Sequence, residues 1–268
     1  MKIKKKNKKK SVIKKYAHSY GILSFFENII RSHPVIYFFI RKLIRFTNIF
    51  EEDANGVKII NFQNEINIMD IGASDGIASK FFLKNLKVKK IYCYEPDKQY
   101  IKILKKLDKK IIVKSYAVGN KNENLDVYYP EVKILGKKIK LVTYCYYNKI
   151  DLEKQINLDF KFKKNLKIIK KNLHIKKISK FNDKIDLIKI DVNGFEYFVI
   201  EGLSEIIKKN KPAIILETGK DIKKINNVLK KFNYKQFIYS KIENKFYNYK
   251  KKNALNTYFL QDNHIRNL

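Results

Sequence analysis

Two carboxylates and a glycine-rich turn stand where the chain could bind a nucleoside-like ligand. Asp70 ends an apolar run that leads into the turn Gly72–Gly76, and Glu95 ends the next apolar run, 19 residues beyond Gly76. Glycines let the backbone of such a turn approach a ligand closely, and the helix behind it offers free N–H groups to a carboxylate. An acidic residue at the end of the second strand can accept hydrogen bonds from both hydroxyls of a ribose.

The turn Gly72-Ala73-Ser74-Asp75-Gly76 is compatible with two other kinds of site. A dinucleotide-binding turn has a glycine where Ser74 stands, and the aspartate that follows would repel a pyrophosphate. The turn also matches the G-x-S-x-G nucleophile elbow of serine hydrolases, for which only His174 and His264 lie downstream as bases. A hydrolase would leave Glu95 unexplained. A cationic ligand without phosphate therefore fits best.

The elements that must position these residues alternate between strand and helix patterns from Val57 onward, as in a doubly wound α/β sheet. Ligands bind such sheets beyond the carboxyl ends of the strands. Asp70, Glu95, Asp191 and Glu217 all lie at such ends. Strands are predicted at 66–71, 90–94, 111–117, 185–192, 213–217, 235–242 and 255–260, and helices at 77–86, at 97–107 with Asp97 as N-cap, after Gly194 and before the last two strands.

The remaining segments are assigned by composition and spacing. Residues 123–148 predict an inserted hairpin around Leu135–Lys137, and the lysine-rich stretch 160–182 predicts a helix. We treat 57–262 as one domain, preceded by a disordered lysine-rich tail over 1–15 and an amphipathic helical extension over 16–50. The second apolar stripe of that extension, 36–44, carries basic residues beside aromatic ones, which is typical of a membrane-surface helix as well as of a helix that caps a domain.

The net charge of +33 comes from 59 Lys+Arg against 26 Asp+Glu, and a field of this sign attracts nucleic acid, acidic glycans or an anionic membrane surface. Only four of the basic residues are arginine, although arginine is the better partner for phosphates and base edges. Lys, Ile, Asn, Tyr and Phe, all residues of A/T-rich codons, are abundant together. Coding drift therefore explains the charge better than a selected polyanion site does.

The cysteines and the N-terminus indicate a location in the cytoplasm. Cys93 and Cys145 lie in apolar stretches without C-x-x-C spacing, so we expect neither a disulfide framework nor a metal site. No uninterrupted apolar segment follows the basic N-terminus, so we expect no signal peptide. The most apolar run, 35–40, is far shorter than the roughly 20 residues of a spanning helix. We expect a cytoplasmic protein, with residues 16–48 available for peripheral contact with the inner membrane face.

Five segments resemble the FkbM-type methyltransferases. They are IMDIGASDG (68–76), YEPD (94–97), YAVGN (116–120), IDLIKIDVNGFEYFVIEGL (185–203) and KPAIILE (211–217), and the resemblance covers roughly 60–260. It implies a Rossmann-like class I methyltransferase fold, with a mostly parallel seven-stranded sheet and helices on both faces. It also implies S-adenosylmethionine as cofactor.

The resemblance implies roles for individual residues. Asp70 and the Gly72–Gly76 turn would hold the methionine part of the cofactor, Glu95 its ribose, and the YAVGN segment its adenine. The residues implied for cofactor binding are Asp70, Gly72, Ala73, Ser74, Asp75, Gly76, Glu95, Pro96, Ala117 and Val118. The motif closest to 191–196 usually reads Asp-Val-Glu-Gly-x-Glu, so Asn193 loses one carboxylate and puts its role in a metal or acceptor contact in doubt.

Methyl transfer to a hydroxyl is an in-line attack that requires an oriented and usually deprotonated acceptor. Asp191 is the candidate base by topology, and Glu196, Glu217 and His174 are weaker candidates. The resemblance favours O-methylation of a sugar, glycan or lipid-linked hydroxyl. The charge leaves open an RNA-binding protein or RNA methyltransferase, against which stand the few arginines and the absence of an RNP aromatic signature. A serine hydrolase with Ser74 as nucleophile is a minor alternative.

Overall fold

A mostly parallel eight-stranded sheet forms the centre of the computed structural model, which describes residues 33–44, 50–161, 163–249 and 254–265. A second, four-stranded sheet packs beside it. The strands are β1 (Ile66–Ile71), β2 (Val88–Tyr94), β3 (Ile111–Lys114), β4 (Ala117–Val118), β5 (Glu123–Ile134), β6 (Lys137–Lys140), β7 (Leu166–Lys176), β8 (Leu187–Ile190), β9 (Ala213–Glu217), β10 (Lys235–Ser240), β11 (Lys245–Asn248) and β12 (Asn256–Leu260).

Seven α-helices lie in the described residues, and five of them follow parallel strands of the central sheet. The seven are α1 (Pro34–Ile44), α2 (Ile77–Asn85), α3 (Lys98–Leu104), α4 (Lys149–Asp159), α5 (Glu196–Gly202), α6 (Ser204–Asn210) and α7 (Ile222–Lys230), with 3₁₀ helices at Glu52–Ile59, Val142–Tyr144 and Asp262–His264. The side chain of Asp97 accepts a hydrogen bond from the Gln99 N–H, which confirms it as the N-cap of α3. The stripe predicted after Gly194 forms two short helices, α5 and α6.

The central sheet has the order β11-β10-β12-β9-β8-β1-β2-β3. Strands β3, β2, β1, β8 and β9 are parallel, and β12 is antiparallel to both β9 and β10. The expected α/β fold is confirmed. The sheet has one more strand than expected, because Lys245–Asn248 pairs antiparallel with β10 at the edge. Every residue of β1 and β8 is buried, since helices or loops cover both faces of these central strands.

The four-stranded sheet, with the order β4-β7-β5-β6, contradicts one prediction. The hairpin of β5 and β6 turns at Leu135–Gly136, as expected, but the helix predicted within 160–182 is wrong, because Leu166–Lys176 is a strand paired antiparallel along β5. Exposed side chains alternate with inward ones such as Leu173 and Ile175. Long-range pairing with β5 therefore overrides the local helical pattern.

Helix α1 contains the second predicted amphipathic stripe, 36–44. Val35, Tyr37 and Phe38 pack against an apolar cluster of the four-stranded sheet and α4. The 3₁₀ helix Glu52–Ile59 packs on the central sheet instead, with Ala54 and Val57 fully buried. The tail at 1–15 and the first stripe, before residue 33, lie outside the described residues. No helix within the described ranges has the length and apolarity needed to cross a membrane.

Candidate active site

A pocket opens at the carboxyl ends of β1, β2, β8 and β9, with the four-stranded sheet on its far side. Two of its walls differ in character. We call one the turn wall; it consists of residues 71–75, Tyr94–Asp97 and Ala117–Val118. We call the other the tyrosine wall; its rings are those of Tyr129, Tyr144, Tyr146, Tyr147 and Phe195.

The turn wall begins with a turn that only glycine fits at its first position. Gly72 has φ +77°, and a Cβ there would lie 2.0 Å from the backbone oxygen of Asp191. The N–H groups of Gly72 and Ala73 both donate to the backbone oxygen of Tyr94, at 3.0 and 3.2 Å. The end of β1 is thereby held between the ends of β2 and β8. Ser74 is also left-handed, with φ +50°, which completes the tight curve of the turn.

Helix α2 starts directly behind this turn. Its N-cap, Gly76, is left-handed at φ +78° and, as a glycine, has no side chain to cap the first turn of the helix. Ile77 and Ala78, in that first turn, line the pocket. Uncapped N–H groups and the positive end of the helix dipole form a binding site for an anion such as a carboxylate. The nine-residue helix therefore begins at the edge of the pocket.

Glu95 is held rigidly by backbone donors at the end of β2. Its Oε2 accepts the Ser74 N–H at 2.9 Å, and its Oε1 accepts the Asp97 N–H at 2.7 Å. Burial raises the pKa of Glu95 to about 7, against the opposing effect of these two hydrogen bonds. Each carboxylate oxygen has two lone pairs, so each can accept one further hydrogen bond from a ligand hydroxyl. Glu95 is therefore a fixed acceptor in the turn wall.

A buried lysine connects the ends of β1 and β8. Lys189 Nζ lies 3.5 Å from Asp70 Oδ1 and 3.3 Å from Asp191 Oδ2. Asp70 is fully buried, and its Oδ2 accepts the Ser79 hydroxyl at 2.7 Å. Burial alone would lower the pKa of Lys189, but Asp191, Asp70 and Glu51 together raise it above its usual range. Lys189 thus remains charged and orients Asp191, whose side chain is 42% exposed.

The loop after β8 is shaped by its own polar side chains. The backbone of Asn193 is left-handed, at φ +50°, and its Nδ2 donates to the backbone oxygen of Thr143 at 3.1 Å. A glutamate, the usual residue of the motif, could not donate this hydrogen bond. Glu196 is buried, and its Oε1 accepts the N–H groups of Val192 and Gly194 at 3.3 and 2.9 Å. Burial raises the pKa of Glu196. This residue holds the loop from behind.

The tyrosine wall is built by elements far apart in the sequence. Tyr144 is buried and donates its hydroxyl to Asp159 Oδ2 at 3.0 Å, and Asp159 also lines the pocket. Tyr147 meets Phe195 edge to face, with ring centroids 5.3 Å apart. Burial raises the pKa of Tyr146 above its usual range, and Glu217 adds to this effect. This wall offers aromatic faces with polar groups between them.

Glu51 enters the pocket from the segment before the central sheet. Its Oε2 accepts the side-chain N–H of Asn256 at 2.6 Å, and the same amide donates to Asp53 Oδ1 at 2.9 Å. Burial, with Asp53 and Asp191 nearby, raises the pKa of Glu51 to about 8. The described residues contain no cluster of three or more His, Cys, Asp or Glu side chains able to hold a metal.

The structure brings most of the residues selected from the sequence into this one pocket. Those that line it are Gly72, Ala73, Ser74, Asp75, Glu95, Pro96, Ala117, Val118, Asp191 and Glu217. Asp70, Gly76 and Glu196 lie behind it and act on the lining through hydrogen bonds, an ion pair or the start of α2.

No histidine among the described residues lines the pocket next to Ser74, as a hydrolase triad would require. His174 is exposed and lies 3.2 Å from the Asn124 side-chain oxygen, through its Nδ1. His264 is buried and accepts the Gln261 N–H. The elbow motif is therefore accounted for by the turn itself.

Lys189, Glu51 and the tyrosine wall were not selected from the sequence. The signal for Lys189 was present, because it is the one charged residue in the otherwise apolar run 187–190, which follows Asp186. Lysine is rarely buried without acidic partners, so its position in a central strand predicts carboxylates beside it. No local pattern marks Glu51 or the tyrosines, because distant segments bring them to the pocket.

Comparison with known proteins gives one family match. Residues 70–249 match the model of the Methyltransferase FkbM domain. No curated protein matches the sequence significantly.

Three solved structures to which this chain is similar are distant from it in sequence. A methyltransferase FkbM from Methylobacillus flagellatus is 14% identical, with a TM-score of 0.44, over 74% of this chain and 44% of that chain, so the match spans less than half of that protein. A SAM-dependent O-methyltransferase from Thermotoga maritima is 10% identical, with a TM-score of 0.43, over 85% of this chain and 70% of that one. M. capricolum TrmK, in complex with S-adenosyl-homocysteine, is 16% identical, with a TM-score of 0.36, over 80% and 70%.

Proposed function

Because the chain belongs to the FkbM methyltransferase family and has the class I methyltransferase fold, we propose that it transfers a methyl group from S-adenosylmethionine to a hydroxyl of an acceptor. The observation that carries this proposal is that the N-terminus of α2 and the fixed carboxylate of Glu95 line the same pocket. They match the two polar ends of the cofactor, the amino-acid carboxylate and the ribose.

The groups in the turn wall fit this cofactor. Gly72 leaves no room for a side chain, so the backbone itself faces the ligand. The hydroxyls of Ser74 and Tyr94 are buried and make no hydrogen bond within the described residues, and Tyr94 also lines the pocket. Buried polar atoms without a partner are uncommon in folded proteins, and a polar ligand would satisfy them. Ala117 and Val118 provide an apolar surface for the adenine.

In the proposed mechanism, the cofactor supplies an electrophilic methyl group, and the protein orients the acceptor and removes its proton. Asp191 is the candidate base, because its partly exposed carboxylate lies in the pocket between the turn wall and the tyrosine wall. Lys189 fixes that carboxylate from behind. Glu217 also lines the pocket and is a second candidate. Glu196 is a weaker candidate, because the N–H groups of Val192 and Gly194 hold its carboxylate in the loop. A base near the acceptor typically contributes 10²–10⁴-fold to such a step.

The acceptor we propose is a hydroxyl of a sugar, glycan or lipid-linked molecule. The rings of the tyrosine wall offer flat faces that pack against the C–H face of a sugar ring, and the buried polar groups of Gln155 and Asp159 offer hydrogen bonds to its hydroxyls.

Helix α1 supports a further, peripheral contact with a membrane that would bring the enzyme to a lipid-linked acceptor. Phe39 and Leu43 are 50% and 65% exposed and lie one helical turn apart. A Phe39→Ser/Leu43→Ser variant should float with anionic liposomes less than the unchanged chain. Equal flotation of the two would contradict this contact.

Calorimetric titration of the full chain with S-adenosylmethionine and with S-adenosylhomocysteine tests the proposed function. We expect both to bind, and Glu95→Ala to weaken both at least tenfold, because two or more hydrogen bonds to the carboxyl group are lost. Glu65→Ala is a matched control on the exposed loop before β1. Salt-sensitive binding of RNA without binding of either nucleoside would contradict the proposal.

A further inference from the structure

Among the described residues, Glu51 is the one acidic side chain in the pocket that comes from outside the family-matched segment 70–249. It is the N-cap residue of the 3₁₀ helix Glu52–Ile59, which packs on the central sheet. Its carboxylate is oriented by Asn256, on β12, through a hydrogen bond of 2.6 Å. The Asn256 amide bridges Glu51 to Asp53, so the two carboxylates lie close together.

The charges that surround Glu51 are mostly negative. Asp53 lies on the same 3₁₀ helix, and Asp191 follows β8; both act on Glu51 with the same sign. Lys189, on β8, is the opposing charge, but Asp70 and Asp191 already share it. Asn256 and Tyr258, from β12, are neutral neighbours, and Tyr258 donates to the Asp53 backbone oxygen. One added positive charge in the pocket would therefore complement this group.

Glu51 and Asp53 differ in their hydrogen bonds and in their access to the pocket. Asp53 accepts the backbone and side-chain N–H groups of Asn256, at 2.8 and 2.9 Å, and does not line the pocket. Glu51 lines the pocket and accepts one of these donors. Burial and the neighbouring carboxylates raise the pKa of Glu51 to about 8, so at pH 7 the carboxyl is mostly protonated. The pair therefore holds a proton where a ligand can reach it.

We propose that Glu51 recognises the positive charge of the bound methyl donor, releasing its proton to solvent when the sulfonium enters the pocket and keeping it when the neutral thioether product is bound. The inference rests on the proposed function. It assigns to Glu51 the discrimination between the donor and its demethylated product. These two molecules differ by one methyl group and one positive charge, so a titratable carboxylate can distinguish them by charge as well as by size.

The expected size of the effect follows from the charge. An opposite charge within a few ångströms lowers the pKa of a carboxylate by about 1–3 units. With a drop of about 2 units, donor binding at pH 7 releases about 0.8 proton more than product binding does. The preference for the donor over the product then rises about 25-fold between pH 6 and pH 8.

The test is calorimetric titration of the full chain with each nucleoside at pH 7, in phosphate, HEPES and Tris, whose heats of ionisation differ. We expect the proton count to differ between S-adenosylmethionine and S-adenosylhomocysteine. In Glu51→Gln the difference should disappear, and affinity for the donor should fall about tenfold while affinity for the product stays unchanged. Glu52→Gln, at the neighbouring residue that pairs with Lys241 on the surface, is the control and should keep the difference.

The outcomes separate this inference from the proposed function. Equal proton counts for the two nucleosides, or a difference retained in Glu51→Gln, would overturn the role of Glu51 while leaving the methyltransferase proposal in place. Binding of neither nucleoside would overturn both. The pH dependence of the affinity ratio in the unchanged chain needs no variant: a ratio that stays constant from pH 6 to pH 8 would also overturn the inference.

Discussion

The turn wall and the tyrosine wall face the same pocket but are built differently. The turn wall is largely backbone. Hydrogen bonds between the ends of neighbouring parallel strands hold it, such as those from the N–H groups of Gly72 and Ala73 to the backbone oxygen of Tyr94. The tyrosine wall consists of side chains, carried by β5, the segment that follows β6 and the loop after β8. A backbone wall suits a constant ligand such as a cofactor. A side-chain wall can change from one acceptor to another without disturbing the sheet.

The largest effect that distinguishes the two kinds of construction is expected at Gly72. A Gly72→Ala variant places its Cβ 2.0 Å from the Asp191 oxygen at a left-handed φ, so we expect a loss of about 5 kcal/mol in the free energy of unfolding and no cofactor binding. Gly136→Ala is the matched control: its φ is +79°, but nothing lies within 4 Å, so only about 1 kcal/mol should be lost. Urea denaturation measures both. Equal losses would contradict the proposed crowding at the turn.

The next effect concerns the ion pairs behind the turn wall. Lys189→Met leaves Asp70 and Asp191 without their shared cation, and we expect a loss of about 4 kcal/mol in the free energy of unfolding. Lys170→Met, on the exposed face of β7, removes the surface ion pair with Asp126 and should give no measurable change. A Lys189 variant as stable as the Lys170 variant would show that this buried pair does not hold the strand ends together.

A pH dependence follows from Glu95. Its pKa is about 7 in the folded chain and 4.5 in the unfolded chain, so its contribution to stability is complete below pH 4.5 and is lost as the pH rises through 7. Glu95→Gln cannot ionise and keeps a constant stability offset. We expect the free energy of unfolding of the variant, relative to the unchanged chain, to rise by about 3 kcal/mol from pH 4.5 to pH 8. A difference independent of pH would mean that Glu95 is ionised in the fold.

The smallest effect is expected at the tyrosine wall when only the cofactor is bound. Tyr147→Ala removes a ring that contacts Phe195 and Phe198 and lines the far side of the pocket. We expect the dissociation constant of S-adenosylhomocysteine to change less than twofold by calorimetry, since the proposed site gives the tyrosine wall no polar contact with the cofactor. A tenfold weakening would indicate that the cofactor also rests on the tyrosine wall.

The two walls also differ in how far the sequence predicts them. The strand β1, the turn and Glu95 follow one another within a single β-α-β unit, so local patterns identify them. The tyrosine wall includes Tyr129 on β5, and β5 is paired with β7. For β7, the lysine-rich pattern of 160–182 predicted a helix. Pairing with β5 makes residues 166–176 a strand, and the local periodicity of the sequence carries no information about such a long-range pairing.

The same difference applies to the charged residues. Lys189 could have been selected as a lysine inside a buried strand, because its position requires acidic partners. Glu51 could not, since its approach to Asp191 depends on how the 3₁₀ helix packs on the sheet next to Asn256 on β12. Asn193 departs from the family motif, and its side-chain amide donates a hydrogen bond to the backbone oxygen of Thr143. This contact is visible only in the fold.

A crystal structure of the full chain with S-adenosylhomocysteine tests the division between the two walls most directly. The division predicts the ribose hydroxyls at Glu95, the adenine at Ala117 and Val118, and the amino-acid carboxylate at the N-terminus of α2, with Tyr144, Tyr146 and Tyr147 left uncovered. A nucleoside stacked on these tyrosines, with Glu95 making no contact to the ribose, would contradict it.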